Sequence, residues 1–202
     1  MKASINKILL TSLLCLFSLT ALAKTQEQVL EDFTSWDKKL NNLFISFEQN
    51  TSFEDILISS STGTLTKEDQ NLILDTYENG KLIQRAFTDK KIIRIFDPEG
   101  NLITTSDWQT WQQAQTNKAL FDFGNYAQVL KDHKIKKFKE EDKKYLLVLE
   151  GQNEQDIYEL TFLLDEKSFP LQITLQSQGV KTTTNLNEIK LDKTNKVKES
   201  TK

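Results

Sequence analysis

The chain has almost no cysteine. Its single one, Cys15, follows Leu13-Leu14 rather than the small residue that precedes a lipid-attachment cysteine. It lies in residues 1–23, which read as a cleaved secretory signal. Lys2 and Lys7 open it, Ile8 to Leu19 form an apolar run, and Ala21-Leu22-Ala23 has the small-x-small cleavage pattern. The run is short for a bilayer span. Cleavage after Ala23 makes Lys24 the first residue and leaves an exported chain with no disulfide and no thiol chemistry.

Histidine, arginine and glycine are scarce too, and acids outnumber bases. The one histidine, His133, sits among Lys131, Lys134, Lys136 and Lys137 and reads as a solvated surface residue. There is no His/Cys spacing for a metal, and six glycines form no phosphate-cradling loop. Ser59-Ser60-Ser61 has no neighbouring base, and Glu140-Glu141-Asp142 reads as a solvated turn. The sequence thus carries no catalytic, cofactor or metal motif, although carboxylates can meet in space unannounced. Loss of Lys2 and Lys7 leaves 24 basic against 29 acidic residues, a net charge of about −5. That argues against nucleic acid as a partner, because phosphate contacts need a basic patch. No second apolar run is long enough to cross a membrane, so a soluble protein is expected.

What is present is strand after strand. Leu72 to Tyr77 and Lys81 to Phe87 flank Glu78-Asn79-Gly80. Asn-Gly between apolar runs marks a type I′ hairpin, since both residues tolerate φ > 0. Thr88-Asp89-Lys90 and Asp97-Pro98-Glu99-Gly100-Asn101 supply the next reversals. Connections this short imply antiparallel neighbours. Leu43 to Phe53 precedes as a strand, and Asp55 to Lys67 as one long or two short strands kinked near Gly63. Ile135 to Lys139, Tyr145 to Leu149, Ile157 to Leu164, Leu171 to Gln176 and Lys181 to Leu191 follow.

Two stretches break the pattern. Thr25 to Asn42 reads as an amphipathic helix, with Val29, Leu30, Phe33, Trp36, Leu40 and Leu43 recurring at three and four. Thr25 and Gln28 fit a capping box. Between the two runs of strands, Trp108 and Trp111 lead into a helical segment from Ala119 to His133, interrupted by Gly124. An insertion of that kind is often a functional lid. Residues 192–202 are polar and charged and read as a flexible tail. The expected fold is mainly β with α (α+β). An unclosed antiparallel β-barrel of about ten or eleven strands, residues 24–191, covers a helical lid and an apolar cavity. The aromatic surplus fits either an ordinary filled core or a cavity that takes a greasy ligand.

A set of short motifs then falls in a recognisable order. Ser46-Phe47-Glu48-Gln49 is similar to an S-F-x-Q strand, Gly63-Thr64-Leu65 to a G-x-L strand start, and Asn71-Leu72 to the segment after it. Asp89-Lys90-Lys91 with Ile95-Phe96-Asp97-Pro98, Lys144 to Leu149, and Phe169-Pro170-Leu171 continue the series. Together they resemble the LolA family of periplasmic lipoprotein carriers, from about Thr25 to Leu191.

The resemblance implies an unclosed barrel over a helical lid and a non-enzymatic, monomeric periplasmic carrier without a cofactor. Such a carrier shields the acyl chains of lipoproteins. It takes them from an inner-membrane lipoprotein-releasing transporter and delivers them to an outer-membrane receptor. It places Phe33, Trp36, Phe47, Leu65, Leu72, Leu74, Phe87, Trp108, Trp111 and Phe121 in the cargo cavity or its lid. Two family features are missing. Asp69-Gln70 stands where an Arg-Pro pair, the Arg fastening the lid, is usual, and the chain ends without the family's final hook. A lipid-binding or envelope-sensing module of the same fold, and a β-domain with a filled core that binds nothing, are the rival expectations.

Overall fold

The computed structural model describes residues 24–40, 42–69, 71–114, 124–152 and 157–191. The expected signal, the expected tail and Phe121 lie outside the described residues. Eleven strands form one sheet in the order β6-β5-β4-β3-β2-β1-β11-β10-β9-β8-β7, and every pair is antiparallel. They are β1 (Asn42–Phe53), β2 (Ile56–Glu68), β3 (Asn71–Glu78), β4 (Lys81–Thr88), β5 (Ile92–Asp97) and β6 (Leu102–Asp107). After the helical excursion come β7 (Lys134–Glu141), β8 (Lys144–Gln152), β9 (Ile157–Leu164), β10 (Pro170–Ser177) and β11 (Val180–Leu191). β6 and β7 end the order and do not pair with each other, so the barrel is unclosed.

Turn chemistry sets the register. Asn79 and Gly80 both have positive φ, 50° and 77°, as a type I′ turn requires. Asp142 and Lys143 repeat this at 52° and 61° between β7 and β8. Asp165 holds the β9–β10 reversal by accepting from the backbone N–H groups of Lys167 and Phe169, each at 2.8 Å. Bulges fall in β2, β4, β7, β10 and β11, and a bulge adds local twist, which helps the sheet curl. The β7 edge carries Lys134, Lys136, Lys137 and Lys139, the residue type that discourages edge-to-edge pairing. β2 is a single strand of 13 residues, so Gly63 breaks nothing.

The helical part is small: α1 (Gln26–Ser35), a 3₁₀ turn (Trp36–Lys38), α2 (Trp108–Ala114) and α3 (Tyr126–Asp132). The capping box is present, with Gln28 N–H donating to Thr25 and Thr25 N–H to the Gln28 side chain. The first helix ends well before Asn42. Leu40 lies in the loop and Leu43 on β1; both are buried against the same core, which is why the apolar spacing runs past the helix end. α3 is shorter than the expected helix, and Gly124, at φ 80°, stands before it rather than within it. Among the described residues no helix is long and apolar enough to cross a membrane.

Candidate functional site

Directly opposed residues on neighbouring strands share a face. On the inner face Leu43 pairs with Lys67, Lys67 with Leu72, Leu72 with Thr88, and Thr88 with Ile93. The next row runs Ile45, Leu65, Leu74, Ala86 and Ile95, and the third Phe47, Gly63 and Thr76. Across β11 the same face continues through Leu186, Ile173, Phe162 and Leu147. Nearly all of these apolar side chains are buried in one contiguous cluster.

The helices cover the face in two places. Phe33 of α1 stacks on Tyr126 of α3, with centroids 4.3 Å apart, and meets Phe162 edge-on at 5.1 Å. Burial pushes the Tyr126 phenol well up from its ordinary pKa, with Asp37 adding to the shift. Trp36 packs edge-on against Phe169 at 4.9 Å, and its indole N–H donates to the Lys167 carbonyl at 3.1 Å. Both carboxylate oxygens of Asp37 accept backbone N–H groups at the start of α3, from Tyr126 at 2.7 Å and Ala127 at 2.9 Å. Lys24 bridges Asp32 at 2.8 Å and the Glu166 carbonyl at 2.7 Å. Separately, Trp108 and Trp111 of α2 stack at 5.6 Å. They sit over the β5–β6 end of the sheet, where Trp108 N–H bonds the Lys91 carbonyl at 3.0 Å.

The expected site residues therefore divide. Phe33, Phe47, Leu65, Leu72, Leu74 and Trp108 belong to the buried cluster, with Trp36 and Trp111 packed against it. Phe87 does not join them. It pairs with Ile73 and Arg94, one residue out of phase with Leu72, Leu74 and Ala86, and so lies on the opposite face. In the run Leu82 to Phe87 the small Ala86, rather than the large Phe87, is the core residue. Ile45, Ile93, Tyr126, Leu147 and Phe162 complete the cluster. The alternation of Leu43, Ile45 and Phe47 carries that signal for Ile45.

One charge lies beneath the helices. Lys67 is only 5% exposed, and no described residue hydrogen-bonds its ammonium group. Its Nζ lies 2.9 Å from where a Cβ on Gly124 would stand. Burial lowers its pKa, Lys90 lowers it further, and Asp37 partly opposes both. Asp69 turns out in the β2–β3 reversal at φ 52°. Arg85, one of only two arginines, is held on the outer face by Asp75 through two bonds of 2.6 and 2.7 Å.

His133 is not the solvated residue its neighbours suggest. Its Nδ1 meets the Val129 carbonyl at 2.7 Å and its Nε2 the Tyr158 hydroxyl at 3.0 Å, which ties the end of α3 to β9. No group of three or more His, Cys, Asp or Glu residues that could hold a metal occurs among the described residues.

No protein-family model matches the sequence, and no curated protein is significantly similar to it. Solved structures are similar in fold. An uncharacterised conserved protein from Thermus thermophilus aligns over 85% of this chain and 90% of its own, with a TM-score of 0.52 and 11% identity. A LolA superfamily protein from Nitrosomonas europaea covers 86% and 96%, with a TM-score of 0.45 and 12% identity. A putative outer membrane lipoprotein-sorting domain from Vibrio parahaemolyticus aligns over 84% and 93%, with a TM-score of 0.45 and 8% identity. At such identities a likeness is one of architecture alone.

Proposed function

We propose that this LolA-like chain is a non-enzymatic periplasmic carrier. It would shield the acyl chains of lipoproteins and deliver them from the inner to the outer membrane, receiving them from a releasing transporter and passing them to a receptor. One observation carries the reading. A mainly aliphatic and aromatic inner face, interrupted by Lys67, Thr76 and Thr88, runs across the sheet, and its helical cover is pinned by a few polar contacts: Asp37 on α3, Trp36 on Lys167 and Lys24 on Glu166.

The physics of the task fits such a design. Each acyl methylene left in water costs about 0.8 kcal/mol, so a carrier must bury many of them. It must also let go. A cover that closes on the empty face subtracts its opening free energy from binding and weakens the net affinity. Phe33, Trp36, Phe47, Leu65, Leu72, Leu74, Trp108 and Trp111 are the residues we assign to lining or lid. Lys67 stands in for the absent arginine as the basic residue under the cover.

The test is mass spectrometry of whatever co-purifies with the protein from the periplasm of its own host. Acylated N-terminal peptides in the eluate are the expected result. Free lipid without lipoprotein would replace the carrier with a lipid-binding or sensing module. An empty protein that takes up no apolar dye would end the proposal and leave a filled β-domain.

A further inference from the structure

The pairing of β2 is lopsided. From Thr62 to Glu68 it has β1 on one side and β3 on the other. From Ile56 to Ser61 it has β1 alone, because β3 turns back at Glu78. Six residues at about 3.3 Å each leave a free edge of roughly 20 Å. β11 keeps pace on the other side of β1, out to the pairing of Phe53 with Val180, so the projecting wing is itself well supported.

This edge is lightly guarded. Proteins blunt free strands with lysine, proline, inward charge or a bulge. Ile56-Leu57-Ile58-Ser59-Ser60-Ser61 has only the last, a bulge at Ile58, and Ile56, Leu57 and Ile58 are 69%, 61% and 60% exposed. The contrast with the lysine-lined β7 edge is plain.

The inner face beside the wing also changes character. Below it stand Ile45, Leu65 and Phe47. Level with it stand Gln49 opposite Ser61, Thr51 opposite Ser59, and, across β11, Thr184 and Thr182. These side chains bond one another, Thr184 to Gln49 at 3.3 Å and Thr51 with Thr182 at 3.2 Å. The surface therefore grades from hydrocarbon to hydroxyl and amide as it reaches the wing. A molecule that matches this gradient has apolar chains at one end and a hydrogen-bonding polymer at the other.

We propose that the free edge of β2, Ile56 to Ser61, receives the polypeptide segment that follows the acylated residue of the cargo, added to the sheet as an extended strand. The proposal rests on the acyl-carrier reading above. Main-chain hydrogen bonds supply affinity in such strand addition, and they are indifferent to sequence. One carrier can then accept many cargo polypeptides. Glu54, Asp55 and Glu78 border the edge and favour segments that are neutral or basic.

The probe is a synthetic cysteinyl peptide bearing three palmitoyl chains and a neutral eight-residue tail, compared with a twin whose tail is one residue long. Hydrogen exchange on the full protein should slow at least fivefold at amides 56–61 with the long tail and not with the short one. Ser60→Lys, which adds the missing lysine guard, should weaken long-tail binding at least fivefold and leave short-tail binding unchanged. Equal protection by both probes, or protection appearing on β6 instead, would overturn the proposal while acyl binding stood. Protection at 56–61 that grows with protein concentration and no probe would overturn it in favour of a second copy of this chain. Failure of both probes to bind would take the carrier reading down with it.

Discussion

The ring of Phe47 lies against the backbone of Gly63 on the next strand. A Cβ placed on Gly63 would come 2.2 Å from Phe47 Cζ and 2.6 Å from the Asp75 carbonyl oxygen. Since one obstacle is backbone, a rotamer change alone cannot relieve it. Gly63→Ala should cost about 2 kcal/mol, in the range of other overpacked cores. Calorimetry would register a fall in Tm of about 4–8 °C. Adding Phe47→Leu should recover part of the loss, and an unchanged Tm in Gly63→Ala would contradict this packing.

Asp37 should govern how readily the cover opens. Its carboxylate holds two N–H groups at the start of α3, and losing a cap of this kind costs about 1 kcal/mol. If α3 is part of a closed cover, Asp37→Ala should bind an apolar dye such as N-phenylnaphthylamine about fivefold more tightly. Equal dye affinity in both proteins would show that α3 does not move on binding.

The two faces of β3 and β4 can be told apart by the same titration. Leu74→Ser alters the inner face and should weaken dye binding about tenfold or more. Phe87→Ser alters the opposite face and should leave it unchanged, with circular dichroism confirming that both variants are folded. Loss of binding in Phe87→Ser would contradict the pairing of Phe87 with Ile73 and Arg94.

Lys67 makes a prediction about pH. Burial lowers its pKa below the ordinary value of 10.5, so the unfolded chain binds this proton more tightly than the folded one. The penalty is complete below the lowered value. It is relieved as pH rises from the lowered value towards 10.5, so this group makes stability climb with pH in that window. Lys67→Met should remove that climb and raise Tm at pH 7, by about 2–4 °C for each kcal/mol recovered. Denaturation curves at pH 7 and pH 10 check both points, and a variant that melts earlier at pH 7 would mean that the ammonium group has a stabilising partner under the cover.

Much of this could be read in the sequence because turn chemistry is local. Asn79-Gly80 announces its hairpin whatever surrounds it, and the reversals at Asp97-Pro98 and Asp165 do the same. Phase is harder. β4 is apolar on both faces near its end, and a bulge at Ile83, opposite Thr76 and Tyr77, shifts its phase, so Ala86 and Phe87 cannot be assigned by size. Helix length fails for the opposite reason. Leu40 and Leu43 keep the helical spacing although one is loop and the other strand, because all three segments are buried against one core. Lys67 and the bond between His133 and Tyr158 join residues remote in sequence, and nothing local signals them. The architecture was therefore legible, and the placement of single side chains under the cover was not.

The middle of the sheet is built from the two ends of the folded chain. β1 lies beside β11 over their full length, from Leu43 opposite Leu191 to Phe53 opposite Val180. Until Leu191 is available, β1 has one neighbour, β10 lacks its outer one, and the halves β1–β6 and β7–β10 have no shared strand. Contacts this distant in sequence make folding slow. The leading half therefore cannot lock into its final shape on its own, and the last strand in the chain is the one that joins the two.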